Sequence, residues 1–354
     1  MSITQKMESE IKSILDSLVA PTSHISPHEA AERVYTLGND YIHARSVPGS
    51  LAEGEVDDVE LYHGSTTPGV SHFFWYLWST FMYHVHHAPA EEQARDDRIA
   101  RLVDFVNQIK TKPQPEGKVW LIRDEKLKWS DLVKLGPEIR ESYYDIETGR
   151  FDPSTLLSEE AQAVVAGAVQ PEWQQPTSNG TESDIIRLAK SRHRWLSSQE
   201  FTSRLWRDCG CDQYDIYAIW ALRRALEDWP EFPPACGTKY EDFEQSPAYL
   251  AFQVEAASIW ICNTAPLMYR CTTLMGPNGV PDWPTTDGAP GKGGRRWNGV
   301  DGYDREHKRW QLWKDMLGEV VQWCDRAGKD QKKGWKVKDA AIRALDALKA
   351  AEQQ

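Results

Sequence analysis

Residues 70–85 read VSHFFWYLWSTFMYHV, and this stretch decides the fold class. Apolar side chains occupy every face of the helix that this segment would form, rather than a single stripe. A helix that is apolar all round must be surrounded by other elements, so we predict that residues 70–85 form a central helix.

The segments on both sides show the spacing of amphipathic helices. Apolar residues recur every three or four positions in residues 3–19 and 90–110. Residues 26–29 (SPHE) form a capping box with proline at the first helical position, which predicts a helix to about residue 44.

The rest of the chain continues this helical pattern. Residues 197–200 (SSQE) are a second capping box, and the pair Cys209–Gly210 predicts the end of the helix that follows. Pro266 is expected to kink or split the apolar segment 247–271. The further predicted helices cover residues 158–168, 212–228, 303–325 and 336–351.

Residues 119–122 are the best strand candidate, and they are short. We therefore predict an all-α fold: one large domain of eight to eleven helices with long Gly/Pro-rich loops. The expected organisation is N-terminal helices and an acidic loop in residues 1–68, a helical core in residues 69–325 and a C-terminal helix in residues 326–354. Residues 169–182 and 276–302 are expected to be non-helical because they are rich in Gly and Pro or polar residues.

Composition excludes several classes of protein. The 354 residues carry a formal charge of −12 and include 16 Trp, so large aromatic side chains must dominate the packing. This composition is unlike collagen, disordered chains or membrane-spanning chains. The N-terminal segment lacks the apolar run of a secretory signal, which makes a cytoplasmic location the expectation.

Familiar catalytic motifs are missing from the sequence. It contains no P-loop, no Gly-x-Gly-x-x-Gly, no Gly-x-Ser-x-Gly and no His-Glu-x-x-His. A metal site built on His63, His84, His86 and His87 is the competing interpretation of the histidine-rich end of the central helix. Imidazoles at a helix C-terminus also interact favourably with the helix dipole, so no metal site is assigned.

Residues 227–231 (EDWPE) place three carboxylates at the end of a hydrophobic helix. Carboxylates oppose the dipole at a helix C-terminus, but they suit the capture of a cation such as a guanidinium. Glu227, Asp228 and Glu231 are therefore the candidate catalytic residues, either binding a cation or accepting a proton. The alternative is an exposed acidic turn.

Two basic segments are candidates for binding phosphate. Residues 292–297 (KGGRRW) combine glycines, whose backbone N–H groups can approach an anion, with Lys292, Arg295, Arg296 and the stacking face of Trp297. Residues 187–207 carry six basic residues and one acidic residue, among them Arg192 and Arg194. The alternatives are an ordered loop that holds Trp297 in the core, and a solvated helix face.

Several segments together resemble a large fungal family catalogued as domain of unknown function 3632, over about residues 70–325. The resemblance rests on the order and spacing of these segments: LWSTF (77–81), WSDL (129–132), LGP (135–137), AIWALRRALE (218–227), IWI (259–261) and RWQLWK (309–314).

The sequence is also similar to the fungal arginine-containing cyclodipeptide synthases, whose activity needs an Asp-Asp-x-x-Glu motif. Glu227 replaces the first Asp of that motif, while Asp228 and Glu231 match it. The resemblance implies that two aminoacyl-tRNAs, arginyl-tRNA and a second one, are joined into a cyclic dipeptide. Aminoacyl-tRNA is already activated as an ester, so no cofactor is expected, and neither DNA nor a membrane is an expected partner.

Two other functions remain open at this point. A non-catalytic helical interaction protein would place the three carboxylates on a convex surface without a pocket. A cyclase acting on an apolar metabolite would have a deep aromatic cavity. The second amino acid, any acyl-enzyme nucleophile and the oligomeric state are not assigned.

Overall fold

The fold is all-α, as predicted. A computed structural model describes residues 2–22, 25–44, 70–114, 120–122, 125–171, 182–235, 242–326 and 334–353. The acidic loop predicted before residue 69, residues 172–181 of the segment expected to be non-helical, and His63 lie outside these ranges. The predicted boundaries at 68 and 325 fall beside undescribed residues and stay a prediction.

The chain divides into two compact units, residues 1–144 and 145–354. The helices of the first unit are α1 (Ile3–Val19), α2 (Pro27–Ala44), α3 (Val70–His86), α4 (Glu92–Lys110) and α5 (Leu135–Glu141). Helix α3 packs against α1 and α5, and its side chains Phe73, Phe74, Leu77, Trp78 and Phe81 are buried. Residues 70–85 therefore form the predicted helix and bury most of its large apolar side chains, but Ser79 and Tyr83 lie on a face that is exposed to solvent.

The first unit also contains a small antiparallel ribbon. Strands β1 (Trp120–Ile122) and β2 (Glu125–Leu127) pair with Trp120 opposite Leu127. Strand β1 falls on residues 120–122 of the segment that was the best strand candidate.

The second unit holds the remaining helices of the described chain. They are α6 (Pro153–Leu156), α7 (Glu159–Val165), α8 (Asp184–Cys209), α9 (Asp215–Leu222), α10 (Pro247–Arg270), α11 (Lys308–Asp325) and α12 (Val337–Ala351). Helix α10 packs on α8, α9 and α12, and α11 packs on α12. The described residues thus form twelve α-helices, one more than the upper end of the predicted range.

The predicted helix start at residues 197–200 is wrong. Helix α8 begins fourteen residues earlier, with Ser183 rather than Ser197 as its N-cap, and runs through these residues without a break. The hydroxyl of Ser198 donates to the carbonyl O of Arg194 at 3.0 Å, one turn back, instead of accepting from a free N–H. The predicted end is confirmed, because Gly210 has a φ of 59° at the C-cap.

The sequence predicts that Pro266 kinks or splits this segment. Helix α10 continues through Pro266, so it is not split there, and the kink stays a prediction. Pro266 is followed by only four helical residues. Its missing N–H removes one backbone hydrogen bond, and the packing of α10 on three other helices outweighs this loss. No helix in the described part of the chain is both long and apolar enough to cross a membrane.

Candidate functional site

The candidate site begins where α9 passes into a π-helical turn, Arg223–Glu227. The N–H of Asp228 donates to the carbonyl O of Arg223, five residues back, at 2.9 Å. A π-turn adds a residue to the helical turn and thereby rotates the side chains that follow, and such turns are frequent at functional sites. Here Glu227 is fully buried, whereas Asp228 and Glu231 reach solvent.

The carboxylate of Glu227 is surrounded by donors from the chain itself. Arg309 of α11 donates through Nε to Oε1 at 2.6 Å and through Nη2 to Oε2 at 3.0 Å. The indole Nε1 of Trp313 donates to Oε1 at 2.8 Å, and the N–H of Gly294 donates to Oε2 at 2.7 Å. Because both oxygens are engaged in this way, the guanidinium bound to Glu227 is internal.

Arg309 is as enclosed as its partner, with 1 % of its side chain exposed. Its Nη1 donates to the carbonyl O atoms of Gly291 at 3.0 Å and Gly302 at 2.7 Å. The rings of Trp297 and Trp313 lie 5.6 and 5.7 Å from its guanidinium carbon. A buried ion pair is tolerated only when further hydrogen bonds satisfy both groups, and this pair meets that condition.

The glycine-rich loop lies directly against the acidic cluster. The N–H of Arg295 donates to Oδ1 of Asp228 at 2.9 Å, and the N–H of Arg296 donates to the carbonyl O of Glu227 at 3.0 Å. A Cβ on Gly294 would lie 2.7 Å from Oδ1 of Asp228, so this approach requires glycine. The two segments that the sequence offered as separate candidates therefore form one contiguous cluster.

Four of the nine candidate residues form the accessible part of this cluster, which we call the outer group: Asp228, Glu231, Lys292 and Arg295. Asp228 accepts from the Arg295 backbone, and Nη2 of Arg295 donates to the carbonyl O of Asp228 at 2.7 Å. Within the described ranges, no ion-pair partner lies near the carboxylate of Glu231 or the ammonium of Lys292.

Arg296 and Trp297 are used in packing. Arg296 donates through Nε to the carbonyl O of Trp229 at 2.9 Å and through Nη2 to that of Pro230 at 3.1 Å. The Nε1 of Trp297 donates to the carbonyl O of Val300 at 2.9 Å, and its ring contacts Arg309. The alternative of an ordered loop that holds Trp297 is compatible with these interactions.

Arg192 and Arg194 belong to a different part of the second unit. Arg192 forms an ion pair with Glu255 of α10 and donates to the carbonyl O of Val165 at 2.9 Å. Arg194 donates to Glu147 at 3.3 Å. In the described residues their hydrogen bonds join α8 to its neighbours rather than to the glycine-rich loop. The catalytic and substrate-binding roles of all nine candidates stay predictions.

Sequence reasoning missed Arg309. The available signal was the position of Arg309 in a helical segment, because its neighbours Trp310 and Trp313 lie on an apolar face of that helix. A charge on such a face predicts a buried partner of opposite sign, but it does not say which acid that is.

A further polar group lies at the start of the loop. The Sγ of Cys271 lies 3.7 Å from Oδ2 of Asp215 and 3.3 Å from Oγ1 of Thr273. Burial raises the pKa of Asp215 and also that of the Cys271 thiol. Both shifts favour neutral groups, and these interactions fix the end of α10 beside α9.

The histidines at the C-terminal end of α3 have different partners. The Nε2 of His84 lies 3.3 Å from Oδ1 of Asp16, and the ring of His87 stacks on Tyr83 at 4.0 Å. Within the described ranges, no group of three or more His, Cys, Asp or Glu side chains has the arrangement of a metal site.

The second unit also contains a cavity of about 490 Å³. Its lining is largely apolar and includes Phe151, Leu156 and Phe243, together with Asp242. None of the nine candidate residues lines this cavity.

Comparisons with known proteins complete the description of the chain. Searches of curated proteins and of solved structures gave no significant match. The family model described as "Protein of unknown function (DUF3632)" matches residues 78–317. This match covers most of α3 and extends through the outer group and Arg309. The chain therefore belongs to the DUF3632 family.

Proposed function

We propose that this protein is an aminoacyl-tRNA-dependent acyltransferase that forms an arginine-containing cyclic dipeptide. The observation that carries the proposal is the outer group, in which the accessible carboxylate of Asp228 lies 3.8 Å from the exposed guanidinium of Arg295, with Glu231 and Lys292 exposed on the same two segments. An aminoacyl-tRNA carries the matching charges, because its amino acid end is cationic and its nucleotide end is anionic.

The carboxylates and cations of the outer group have separate roles in this proposal. Glu231 and Asp228 bind the cationic groups of the arginyl moiety and accept the proton that leaves its α-amine. Lys292 and Arg295 bind phosphates of the acceptor end. Glu227 takes a positioning role, because its carboxylate holds Arg309 and the N–H of Gly294, which fix the loop that carries the cations.

The reaction forms two amide bonds and breaks two ester bonds. The neutral α-amine of one aminoacyl group attacks the ester carbonyl of the other and releases one tRNA with a 3′-hydroxyl. The second amine then attacks the remaining ester and releases the second tRNA. Each proton lost by an attacking amine passes through a carboxylate to the departing 3′-oxygen, so no oxidant or external energy source is required. Proximity of the two aminoacyl groups supplies much of the rate.

The test is heterologous expression followed by mass spectrometry for cyclic dipeptides that contain arginine. We expect product from the unmodified protein, and a loss of about 100-fold or more in Glu231→Gln and Asp228→Asn, because removal of a general base typically costs this much. Asp282→Asn is the matched control, since Asp282 is an exposed acid outside the outer group, in the glycine-rich segment 276–302. Equal product from all three variants would reject the assignment of the carboxylates.

A non-catalytic helical interaction protein is the second candidate function. It is favoured by two observations. Both carboxylate oxygens of Glu227 already accept hydrogen bonds from other residues of the chain. None of the three carboxylates lines the cavity of the second unit. This alternative predicts no cyclic dipeptide from folded protein in the presence of charged tRNA.

A further inference from the structure

Phe232 is the most exposed large hydrophobic residue of the described chain, with 85 % of its surface in solvent. A phenylalanine in water forgoes the stabilisation that burial would provide. Phe232 directly follows Glu231 of the outer group in the chain.

The turn that carries Phe232 is anchored on both sides. Before it, the carbonyl O atoms of Trp229 and Pro230 accept from the guanidinium of Arg296. After it, the carbonyl O of Pro234 accepts from Nε1 of Trp323 at 3.2 Å. Pro233 and Pro234 also fix the φ angles that follow the ring. Because the backbone of the turn is already fixed, presenting the ring to solvent or to a ligand costs little further backbone entropy.

Cations lie on the neighbouring loop. Arg295 is 73 % exposed, and its Nη2 donates to the carbonyl O of Asp228, four residues before Phe232. Lys292 is exposed on the same loop, and its carbonyl O accepts from Nη1 of Arg223 at 3.0 Å. An exposed ring beside cations is the combination that binds single-stranded nucleic acid, since bases stack and phosphates pair.

We propose that Phe232 stacks on a base at the single-stranded 3′ end of an RNA ligand, while Lys292 and Arg295 bind its phosphates. This inference rests on the proposed function and adds the residue that receives the base. Asp228 and Glu231 repel phosphate, so the phosphates follow the loop and the cationic aminoacyl end lies at the carboxylates. The sequence pointed to Trp297 for stacking, but the ring of Trp297 lies over Arg309.

The experiment measures binding of a fluorescein-labelled single-stranded RNA that ends in CCA, the terminal sequence of tRNA, by fluorescence anisotropy. We expect Phe232→Ala to weaken binding roughly 10-fold, because alanine substitution at a stacking residue has effects of this order. Phe232→Trp keeps a stacking face and is expected to retain the affinity. Tyr144→Ala is the matched control, since Tyr144 is another exposed aromatic residue.

Salt dependence tests the binding of phosphate by the loop cations. Lys292→Ala and Arg295→Ala are each expected to reduce the slope of log affinity against log salt by about 0.7 for each phosphate that the variant no longer binds. An unchanged slope in both variants would overturn this part of the proposal.

Three results separate failure of the inference from failure of the function. If the unmodified protein binds the RNA and Phe232→Ala binds it equally well, stacking at Phe232 is refuted while the proposed function stands. If folded, unmodified protein binds neither this RNA nor aminoacyl-tRNA, both are refuted. If Phe232→Ala abolishes self-association in sedimentation without changing RNA affinity, the ring binds protein and the inference is overturned.

Discussion

Burial of Glu227 and Arg309 removes one charge of each sign from water. The bidentate pairing, the indole of Trp313 and the carbonyl groups of Gly291 and Gly302 together replace the lost hydration. Removing one partner leaves the other charge buried without its counter-ion. At the scale of single residues, this pair is the interaction that joins the π-turn, the glycine-rich loop and α11.

We therefore expect Arg309→Met to lower the free energy of unfolding by about 3–5 kcal/mol, the usual cost of breaking a buried pair. Arg309→Lys is also expected to destabilise, because an ammonium cannot reproduce the two parallel bonds of the guanidinium. Urea denaturation monitored by tryptophan fluorescence measures both effects.

Lys308→Met is the control for this experiment. Lys308 is the next residue of α11 towards the N-terminus, and it pairs with Glu306 at the exposed surface. Such surface pairs contribute about 0–1 kcal/mol. Similar losses in Arg309→Met and Lys308→Met would contradict the role given to the buried pair.

The sequence indicated that a carboxylate at residues 227–231 would pair with a guanidinium, but it did not indicate which arginine would supply it. Three carboxylates at a helix end indicated a guanidinium, and glycines near arginines indicated an anion close to backbone N–H groups. In the structure both groups come from the chain itself: the guanidinium of Arg309 and the N–H of Gly294 bind the carboxylate of Glu227. Arg309 lies 82 residues after Glu227. No local pattern reports a pairing over that distance.

At the scale of elements, glycine determines how the loop closes over the buried pair. A Cβ on Gly293 would lie 2.3 Å from Cδ1 of Trp297, and a Cβ on Gly299 would lie 2.3 Å from Cζ2 of the same ring. The two glycines therefore allow the loop backbone to pack on both ends of the indole that shields Arg309.

Gly293→Ala and Gly299→Ala are each expected to lower the free energy of unfolding by about 1–3 kcal/mol through overpacking. Gly318→Ala is expected to act in the opposite direction. Gly318 lies inside α11, where a Cβ would meet no atom within 4 Å, and alanine is the better helix former by about 1 kcal/mol. Thermal denaturation gives the sign of each change, and a stabilising Gly293→Ala would contradict the packing of Trp297.

Helix prediction succeeded where one signal dominated and failed where two competed. Residues 70–85 and the end at Gly210 are confirmed because apolar pattern and glycine conformation act locally. Ser197 and Ser198 have the pattern of a cap, but the side chains around them are buried, and tertiary packing continues α8 through them. The π-turn has no sequence signal, because its register follows from the burial of Glu227.

At the scale of the whole molecule, stability should depend on pH through His84. Burial lowers the pKa of His84 to about 4, from an ordinary value of 6.5. Asp16 favours the charged form, whereas Arg98, Lys12 and His87 oppose it. Between these pH values the unfolded chain binds a proton that the folded chain does not, so stability falls as pH falls through this window.

We expect His84→Gln to remove up to about 3 kcal/mol of this loss between pH 6.5 and 4. Urea denaturation at several pH values measures the slope. His28→Gln is the control, because His28 lies on α2 with an exposed side chain and is not among the groups that shift the pKa of His84. An unchanged slope in His84→Gln would show that other groups cause the acid sensitivity.

The sequence predicted the all-α class because the apolar period of 3.6 extends through most of the chain. It identified both segments of the candidate cluster, but not that they meet, since their meeting depends on the positions of α9 and α11. It also offered Arg192 and Arg194 as substrate-binding residues on a separate basic segment, where they pair with Glu255 and Glu147.

The most direct test of the central claim uses purified protein with arginyl-tRNA labelled on the arginine, in the presence of a second aminoacyl-tRNA. We predict that label passes into a cyclic dipeptide with unmodified protein and with Asp282→Asn, but not with Glu231→Gln of equal stability. Equal transfer with Glu231→Gln, or no transfer by folded unmodified protein with any second aminoacyl-tRNA, would contradict the proposed function.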